Sequence, residues 1–218
     1  MSQAALKLSV SLWSADLTDL KTEIQRVDPY ADLYHLDVAD GTYAKLLLFF
    51  PDLVKSIRAK TSKLLEVHLI TQNPKRWVSP FAEAGADRVI FYPDTCSDIQ
   101  GMINAVKAQN MSVGISLSME NSVDLVQPYL DQLALVCILG TGFDMKGVNN
   151  VAKGTCEKIH DLAQLRKRKG LDFEIETDGA IRHHTVPKLR RAGADIVVPG
   201  SLIFCPEMKE NSAWLQSL

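Results

Sequence analysis

The chain has 218 residues, of which 46% are hydrophobic and 23% charged, and its formal net charge is −2. This length and composition are typical of a soluble globular protein with a single domain over residues 1–218. The balanced charge argues against a nucleic-acid partner, and the lack of an apolar run of about 18 residues argues against a membrane span. The four cysteines form no C-x-x-C pair, so we expect reduced thiols and a cytoplasmic protein.

Short apolar runs alternate with amphipathic segments along the whole chain. Eight runs are predicted strands, over residues 6–12, 33–38, 64–70, 87–92, 112–118, 133–139, 172–177 and 195–200. The segments between them have helical periodicity, and the first predicted helix begins near an Asp16 cap. The phrases AGADRVI (84–90) and AGADIVV (192–198) repeat one joint between a helix and a strand. Eight such units predict a single (β/α)8 TIM barrel of the α/β class, with a doubly wound open sheet as the alternative.

Four side chains that can bind a metal lie near the ends of three predicted strands. His35 and Asp37 are two residues apart, so both point into the predicted barrel, while His68 and Asp178 belong to strands three and seven. A buried charge needs a partner. Two imidazoles and two carboxylates can bind one divalent ion, with zinc expected first and iron, manganese or cobalt as alternatives. Satisfied core histidines and ordinary Asp-Gly turns are the other interpretation.

Glycine-rich loops follow predicted strands six, seven and eight. They read GTGFDMKG (140–147), DGAIR (178–182) and GSLIF (200–204). The backbone N–H groups of such loops can point at an anion near a helix N-terminus, as phosphate-binding loops of barrels do. The loops therefore predict a phosphate site, with ordinary turns as the alternative.

Six phrases in chain order resemble the ribulose-phosphate 3-epimerase family over nearly the whole chain. They are LSVSLWSADL (8–17), HLDVADG (35–41), EVHLI with the following N-P (66–74), EAGAD (83–87), ETDGAI (176–181) and GADIVVPGSLIF (193–204). The resemblance implies a (β/α)8 barrel and a homo-oligomer. It also implies one divalent ion bound by two His and two Asp, which fall on His35, Asp37, His68 and Asp178.

The resemblance also implies a reaction and a substrate. The carboxylates of Asp37 and Asp178 would transfer the proton when the carbon beside the ketone of a phosphorylated ketose is inverted. Ser11 matches a substrate-contacting serine, and the glycine-rich loops match phosphate-binding positions. The predicted substrate-binding residues are Ser11, His68, Gly142, Lys146, Gly179, Ala180, Gly200 and Ser201.

The sequence departs from the family pattern around the predicted pocket. Ala39, Ile70 and Cys137 stand where methionine is usual, Tyr92 stands where a histidine is common, and residues 144–146 replace two glycines and a glutamine. We therefore leave open the same chemistry on a six-carbon or four-carbon ketose phosphate, beside ribulose and xylulose 5-phosphate. Two further alternatives are a non-catalytic phosphosugar-binding barrel and a decarboxylase of the orotidine-phosphate type, although the D-x-K-x-x-D string of the latter is absent.

Overall fold

The computed structural model describes residues 5–143 and 146–218, and its eight strands form a closed parallel barrel. Each strand pairs with the next in chain order, and β1 pairs with β8 to close the ring. The predicted (β/α)8 TIM barrel is confirmed, and the open sheet is excluded. The strands are β1 (Lys7–Ser11), β2 (Leu33–Ala39), β3 (Leu64–Ile70), β4 (Arg88–Phe91), β5 (Ser112–Leu117), β6 (Leu135–Leu139), β7 (Glu174–Asp178) and β8 (Ile196–Val198).

Seven α-helices connect or follow the strands in the described parts of the chain. They are α1 (Leu20–Val27), α2 (Pro51–Arg58), α3 (Val78–Glu83), α4 (Ile99–Lys107), α5 (Thr155–Lys169), α6 (Val186–Ala192) and α7 (Met208–Gln216). No described helix is long and apolar enough to cross a bilayer. Asp144 and Met145, two of the predicted departures from the family pattern, lie outside the described residues.

Two local predictions about the helices are wrong. Between β5 and β6 the chain forms only the 3-10 helices Val123–Leu125 and Gln127–Gln132, and Pro128 lies in the first turn of the second, where its missing N–H group is tolerated. The first helix is not capped by Asp16, whose carboxylate accepts the backbone N–H of Thr18 in a local turn at 2.9 Å. Asp19 caps α1 instead and accepts the backbone N–H of Thr22 at 3.3 Å.

The two AGAD joints have the same backbone geometry. Gly85 and Gly193 both have positive φ, at 90° and 119°, and both follow the last turn of a helix. The repeated phrase therefore predicted this joint correctly, because a left-handed residue after a helix favours glycine.

Strand alternation separates the outer core from the barrel interior. The outward side chains of β2, such as Tyr34, Leu36 and Val38, pack under the helices, and the Tyr34 hydroxyl donates to the Ile24 carbonyl of α1 at 3.3 Å. Inside, Ile90, Leu135 and Cys137 form a separate apolar cluster on β4 and β6. The inward positions of the remaining strands are largely polar: Ser9, Ser11, His35, Asp37, Glu66, His68, Glu176 and Asp178.

Candidate active site

Strand register brings the four predicted metal-capable side chains to one end of the barrel. Asp37 of β2 lies opposite His68 of β3, and His35 lies one inward position deeper, opposite Glu66. Asp178 is the last residue of β7. Because the carboxyl ends of parallel strands meet at one rim, residues far apart in the chain become neighbours there.

Nitrogen and oxygen atoms of these four residues converge on one point. The Nε2 atom of His35 lies 3.0 Å from Nδ1 of His68 and 3.4 Å from Oδ1 of Asp37. Nδ1 of His68 lies 3.7 Å from the same Asp37 oxygen, and Oδ2 of Asp178 lies 4.0 Å from both imidazole nitrogens. One ligand atom from each residue therefore lies within 4.8 Å of all the others.

This arrangement fits one divalent ion. Four ligands at about 2.1 Å from a tetrahedral ion lie about 3.4 Å apart, which is close to the separations seen here. Two neutral imidazole nitrogens and two carboxylate oxygens are ligands that zinc, iron, manganese and cobalt accept. Both histidines are fully buried, so their side chains are already held in the binding geometry.

The two aspartates have opposite electrostatic environments. Burial by itself raises the pKa of Asp37, but the imidazoles of His35 and His68 outweigh it and hold that pKa well below its usual range. The Ser11 hydroxyl also donates to Oδ2 of Asp37 at 3.1 Å. Burial raises the pKa of Asp178, and the neighbouring Asp37 carboxylate raises it further against the effect of the imidazoles. The pair thus favours one ionised and one protonated carboxyl group.

A second polar layer lies below the four residues, and the sequence analysis missed it. Oε1 of Glu66 lies 2.9 Å from Nδ1 of His35, and Oε2 accepts from the guanidinium of Arg88 at 3.1 Å. The Ser9 hydroxyl also donates to Oε1 of Glu66. The available signal was strand alternation, because Glu66 and Glu176 stand two residues before His68 and Asp178 and so point into the barrel with them.

A cavity of about 310 Å³ opens at the mouth of the barrel above the aspartates. Asp37 and Asp178 line it, together with seven of the eight predicted substrate-binding residues: Ser11, Gly142, Lys146, Gly179, Ala180, Gly200 and Ser201. His68, the eighth, is fully buried and does not reach the cavity wall. Trp13, Ser14, Thr141 and Arg182 also line the cavity, and these four were not among the predicted substrate-binding residues.

The glycine-rich loops pack too tightly for side chains at two positions. Gly179 has a φ of 91°, and a Cβ atom there would lie 2.6 Å from the Thr141 hydroxyl. A Cβ atom on Gly200 would lie 2.3 Å from the Ser14 hydroxyl. Ala180 has a left-handed φ of 53°, which is uncommon for a residue with a side chain. These loops therefore bring backbone close to the cavity.

The helix N-terminus that was expected at the last loop is not there. Residues 200–204 form turns, in which the Gly200 carbonyl accepts the backbone N–H groups of Ile203 and Phe204 at 2.9 and 3.0 Å. Pro206 disfavours helical backbone at the preceding residue, and the next helix, α7, begins at Met208. An anion at this end would meet turn N–H groups rather than the end of a helix.

Two cations line the cavity. The Lys146 ammonium donates to the Trp13 carbonyl at 2.8 Å and lies 5.2 Å from the centre of the Trp13 ring. The Arg182 guanidinium donates to the Ile181 carbonyl at 2.8 Å. Neither cation is paired with a described carboxylate within 4.0 Å, so both can balance the charge of an anionic ligand.

Aromatic rings cover the part of the cavity where the sequence departs from the family pattern. The Tyr92 ring stacks on His68 with centroids 5.1 Å apart and meets Phe143 edge-on at 5.0 Å. Tyr43 contacts Phe143 at 4.9 Å, and its hydroxyl donates to Asp94 at 2.8 Å. This aromatic cluster packs with Ala39 and Ile70, two of the positions where methionine was expected.

Comparisons with known proteins agree with this site. Residues 7–204 match the model of the Ribulose-phosphate 3 epimerase family. The chain is 31% identical over 203 residues to a ribulose-phosphate 3-epimerase of Bacillus subtilis (strain 168), covering 91% of this chain and 92% of that protein. It is 32% identical over 208 residues to a cytoplasmic isoform of ribulose-phosphate 3-epimerase from Oryza sativa subsp. japonica, covering 92% and 88%.

Solved structures also resemble the fold. The 3-keto-L-gulonate-6-phosphate decarboxylase of Vibrio cholerae O1 biovar El Tor superimposes with a TM-score of 0.73 at 14% identity, covering 98% of this chain and 97% of that one. This likeness concerns the barrel alone. The family match and the sequence relatives go further: the chain belongs to the ribulose-phosphate 3-epimerase family and is an isomerase of its carbohydrate-epimerase class.

Proposed function

We propose that this protein interconverts ribulose 5-phosphate and xylulose 5-phosphate by inverting the carbon beside the ketone. The observation that carries the proposal is the convergence of Asp37, Asp178 and two buried imidazoles at the inner end of a cavity lined elsewhere by glycine turns and two cations. A phosphorylated ketose has the matching ends, since its ketone and hydroxyl oxygens suit a divalent ion and its phosphate suits backbone N–H groups.

Asp37 and Asp178 carry the proton transfer in this proposal. The ionised carboxylate of Asp37 removes the proton from the carbon beside the ketone, and the protonated carboxyl group of Asp178 returns a proton to the opposite face. Their opposite pKa directions favour this starting state. After one turnover the roles are exchanged, so the same pair serves the reverse reaction.

His35, Asp37, His68 and Asp178 would hold the divalent ion. When bound, the ion supplies Lewis-acid stabilisation of the negative charge that develops on the enediolate oxygens. Burial of His35, Asp37 and His68 keeps water from competing for the same positions, and the Ser11 hydroxyl orients Asp37 through its hydrogen bond. Zinc is the first candidate, with iron, manganese and cobalt as the others.

The phosphate end supplies binding energy and orientation. Backbone N–H groups of the turns at Gly179, Gly200 and Ser201 would donate hydrogen bonds to the phosphate oxygens, and Lys146 and Arg182 would balance the phosphate charge. Fixing the phosphate places the reacting carbon over the aspartates.

Solvent deuterium exchange tests the proposal directly. The protein is incubated with ribulose 5-phosphate and a divalent metal in D₂O, and NMR follows both the C3 proton and the appearance of xylulose 5-phosphate. We expect exchange and product together in the wild type, and no product with Asp178→Asn, because Asp37 can then only return the proton to the face from which it was removed. Binding without exchange would identify a phosphosugar-binding barrel, and exchange only with a six-carbon or four-carbon ketose phosphate would move the proposal to that substrate.

Three wider proposals follow from the family. We infer a single domain over residues 1–218, a homo-oligomer and a cytoplasmic location, and the rice relative is itself named as a cytoplasmic isoform. Light scattering with size exclusion measures the oligomeric state. A single cooperative unfolding transition would support one domain.

A further inference from the structure

We propose that Glu66 is a positioning residue that fixes His35 in the tautomer needed for metal binding, and that Arg88 fixes Glu66. This inference rests on the proposed metal centre. It concerns the layer below the four ligands, where both oxygens of Glu66 have polar partners inside the protein. His35 and Glu66 are both completely buried, so neither side chain can exchange its partner for water.

The two nitrogens of His35 have different tasks. Nε2 faces the ligand atoms of Asp37 and His68 at 3.4 and 3.0 Å, and Nδ1 faces Oε1 of Glu66 at 2.9 Å. A nitrogen that binds a metal must carry no proton, so the proton of a neutral ring must sit on Nδ1 and be donated to Glu66. A carboxylate behind a metal-binding imidazole sets the tautomer and ring orientation in this way.

Arg88 determines which carboxylate oxygen of Glu66 is available to His35. Its guanidinium donates to Oε2 of Glu66 at 3.1 Å and, at the other side, to Glu174 at 3.4 Å. An arginine has donors only, so the Glu66 atom that faces it must be an acceptor. Oε2 of Glu66 is thus committed to Arg88, and Oε1 is the atom left for His35 and for the hydroxyl of Ser9.

The second histidine lacks such support among the described residues. Nε2 of His68 is buried without a hydrogen-bond partner, and its ring is held by stacking on Tyr92. The two imidazoles are therefore not equivalent: Glu66 faces the far nitrogen of His35 at hydrogen-bonding distance, whereas no described residue does so for the far nitrogen of His68.

Glu66→Gln tests the inference because it should invert the tautomer. The amide oxygen must face Arg88, since an amide N–H group there would oppose a charged donor. The amide N–H₂ group then faces His35 and donates to Nδ1, which moves the ring proton to Nε2 and blocks the metal-binding atom. The matched control is Glu176→Gln, because Glu176 is equally buried but lies 3.7 Å from the same nitrogen without a hydrogen bond.

Two readouts are used. Long-range ¹H–¹⁵N correlation of the metal-free protein, at a pH where the ring is neutral, should show the proton of His35 on Nδ1 in the wild type and in Glu176→Gln, and on Nε2 in Glu66→Gln. Competition for Zn²⁺ with a chelator should show affinity about 10-fold to 100-fold weaker for Glu66→Gln than for the control. Thermal unfolding of the metal-free variants checks that both are folded.

The outcomes separate the inference from the proposed function. A wild-type His35 with its proton on Nε2, or a Glu66→Gln variant with unchanged tautomer and zinc affinity, overturns the inference, and the wild-type spectrum decides even where the variant fails to fold. Equal losses of zinc affinity in Glu66→Gln and Glu176→Gln also overturn it, since the removal of any buried carboxyl group near His35 would then explain them. A wild type that binds no divalent ion overturns the metal centre, while the spectrum still reports on Glu66 and His35.

Discussion

The two ends of the cavity are built from different parts of the barrel. At the inner end, His35, Asp37, His68 and Asp178 come from strands, and strand register fixes their separations. At the outer end, backbone in the loops after β6, β7 and β8 lines the cavity, with Lys146 and Arg182 beside it. In the proposed function the chemistry therefore rests on strands, the rigid part of the fold, whereas phosphate binding rests on loops, which tolerate sequence change more readily.

Catalytic activity should be more sensitive to single substitutions at the inner end of the cavity than at the outer end. Asp37→Asn and Asp178→Asn keep the shape of each side chain but remove the proton carrier, so we expect turnover to fall by about 10²-fold to 10⁴-fold while the fold survives. Steady-state kinetics with ribulose 5-phosphate measures the effect. Asp124→Asn, at an exposed position in the 3-10 helix Val123–Leu125, is the control with unchanged turnover. Full activity in either cavity variant would refute the two-carboxylate scheme.

The affinity of the inner end of the cavity for a divalent ion should fall as the pH is lowered. Burial alone lowers the pKa of His35, but the carboxylates of Asp37, Glu66 and Glu176 outweigh it and raise that pKa well above 6.5 in the metal-free protein. An ion must therefore displace a proton from His35 at every pH below this raised value. We expect zinc affinity to fall by about tenfold per pH unit there, as one proton is released per ion bound. Chelator competition across neutral pH would contradict this if the affinity stayed constant.

Loss of a cation at the outer end of the cavity should have a smaller effect on activity and should change KM rather than kcat. Lys146→Met removes a charge that is remote from the reacting carbon, so we expect KM to rise by about tenfold with kcat little changed. Lys153→Met removes the same charge from an exposed site outside the cavity lining and should leave KM unchanged. If kcat of the Lys146 variant fell as much as kcat/KM, Lys146 would contribute to the chemical step and not only to substrate binding.

The smallest predicted effect concerns backbone strain in the loop after β7. Ala180 has a φ of 53°, which glycine adopts without steric cost, so Ala180→Gly should stabilise the protein by up to about 1 kcal/mol. For a chain of this length that is about 2–4 °C in Tm. Ala108→Gly, at a helix C-cap with a φ of −64°, should destabilise instead. Scanning calorimetry of both variants decides, and a lower Tm for Ala180→Gly would contradict the strain.

Local rules predicted some features and failed at others. The spacing of His35 and Asp37 correctly placed both side chains inside the barrel, and the AGAD phrases correctly placed left-handed glycines after two helices. The prediction that Asp16 caps the first helix is wrong because Asp16 and Asp19 are both good capping residues, and only the folded backbone selects between them. The prediction of a regular helix between β5 and β6 is wrong because it relied on apolar periodicity and gave too little weight to Pro128.

The sequence by itself determined the alternation of eight strands with helices, the approximate strand positions and the identity of four metal-capable side chains, because alternation and periodicity are local properties of the chain. Only the tertiary structure decided that Glu66 lies behind His35, that Arg88 commits one oxygen of Glu66, and that His68 has no such support. These contacts join residues on different strands, and their distances depend on register and barrel closure. Neither property can be read from one strand alone.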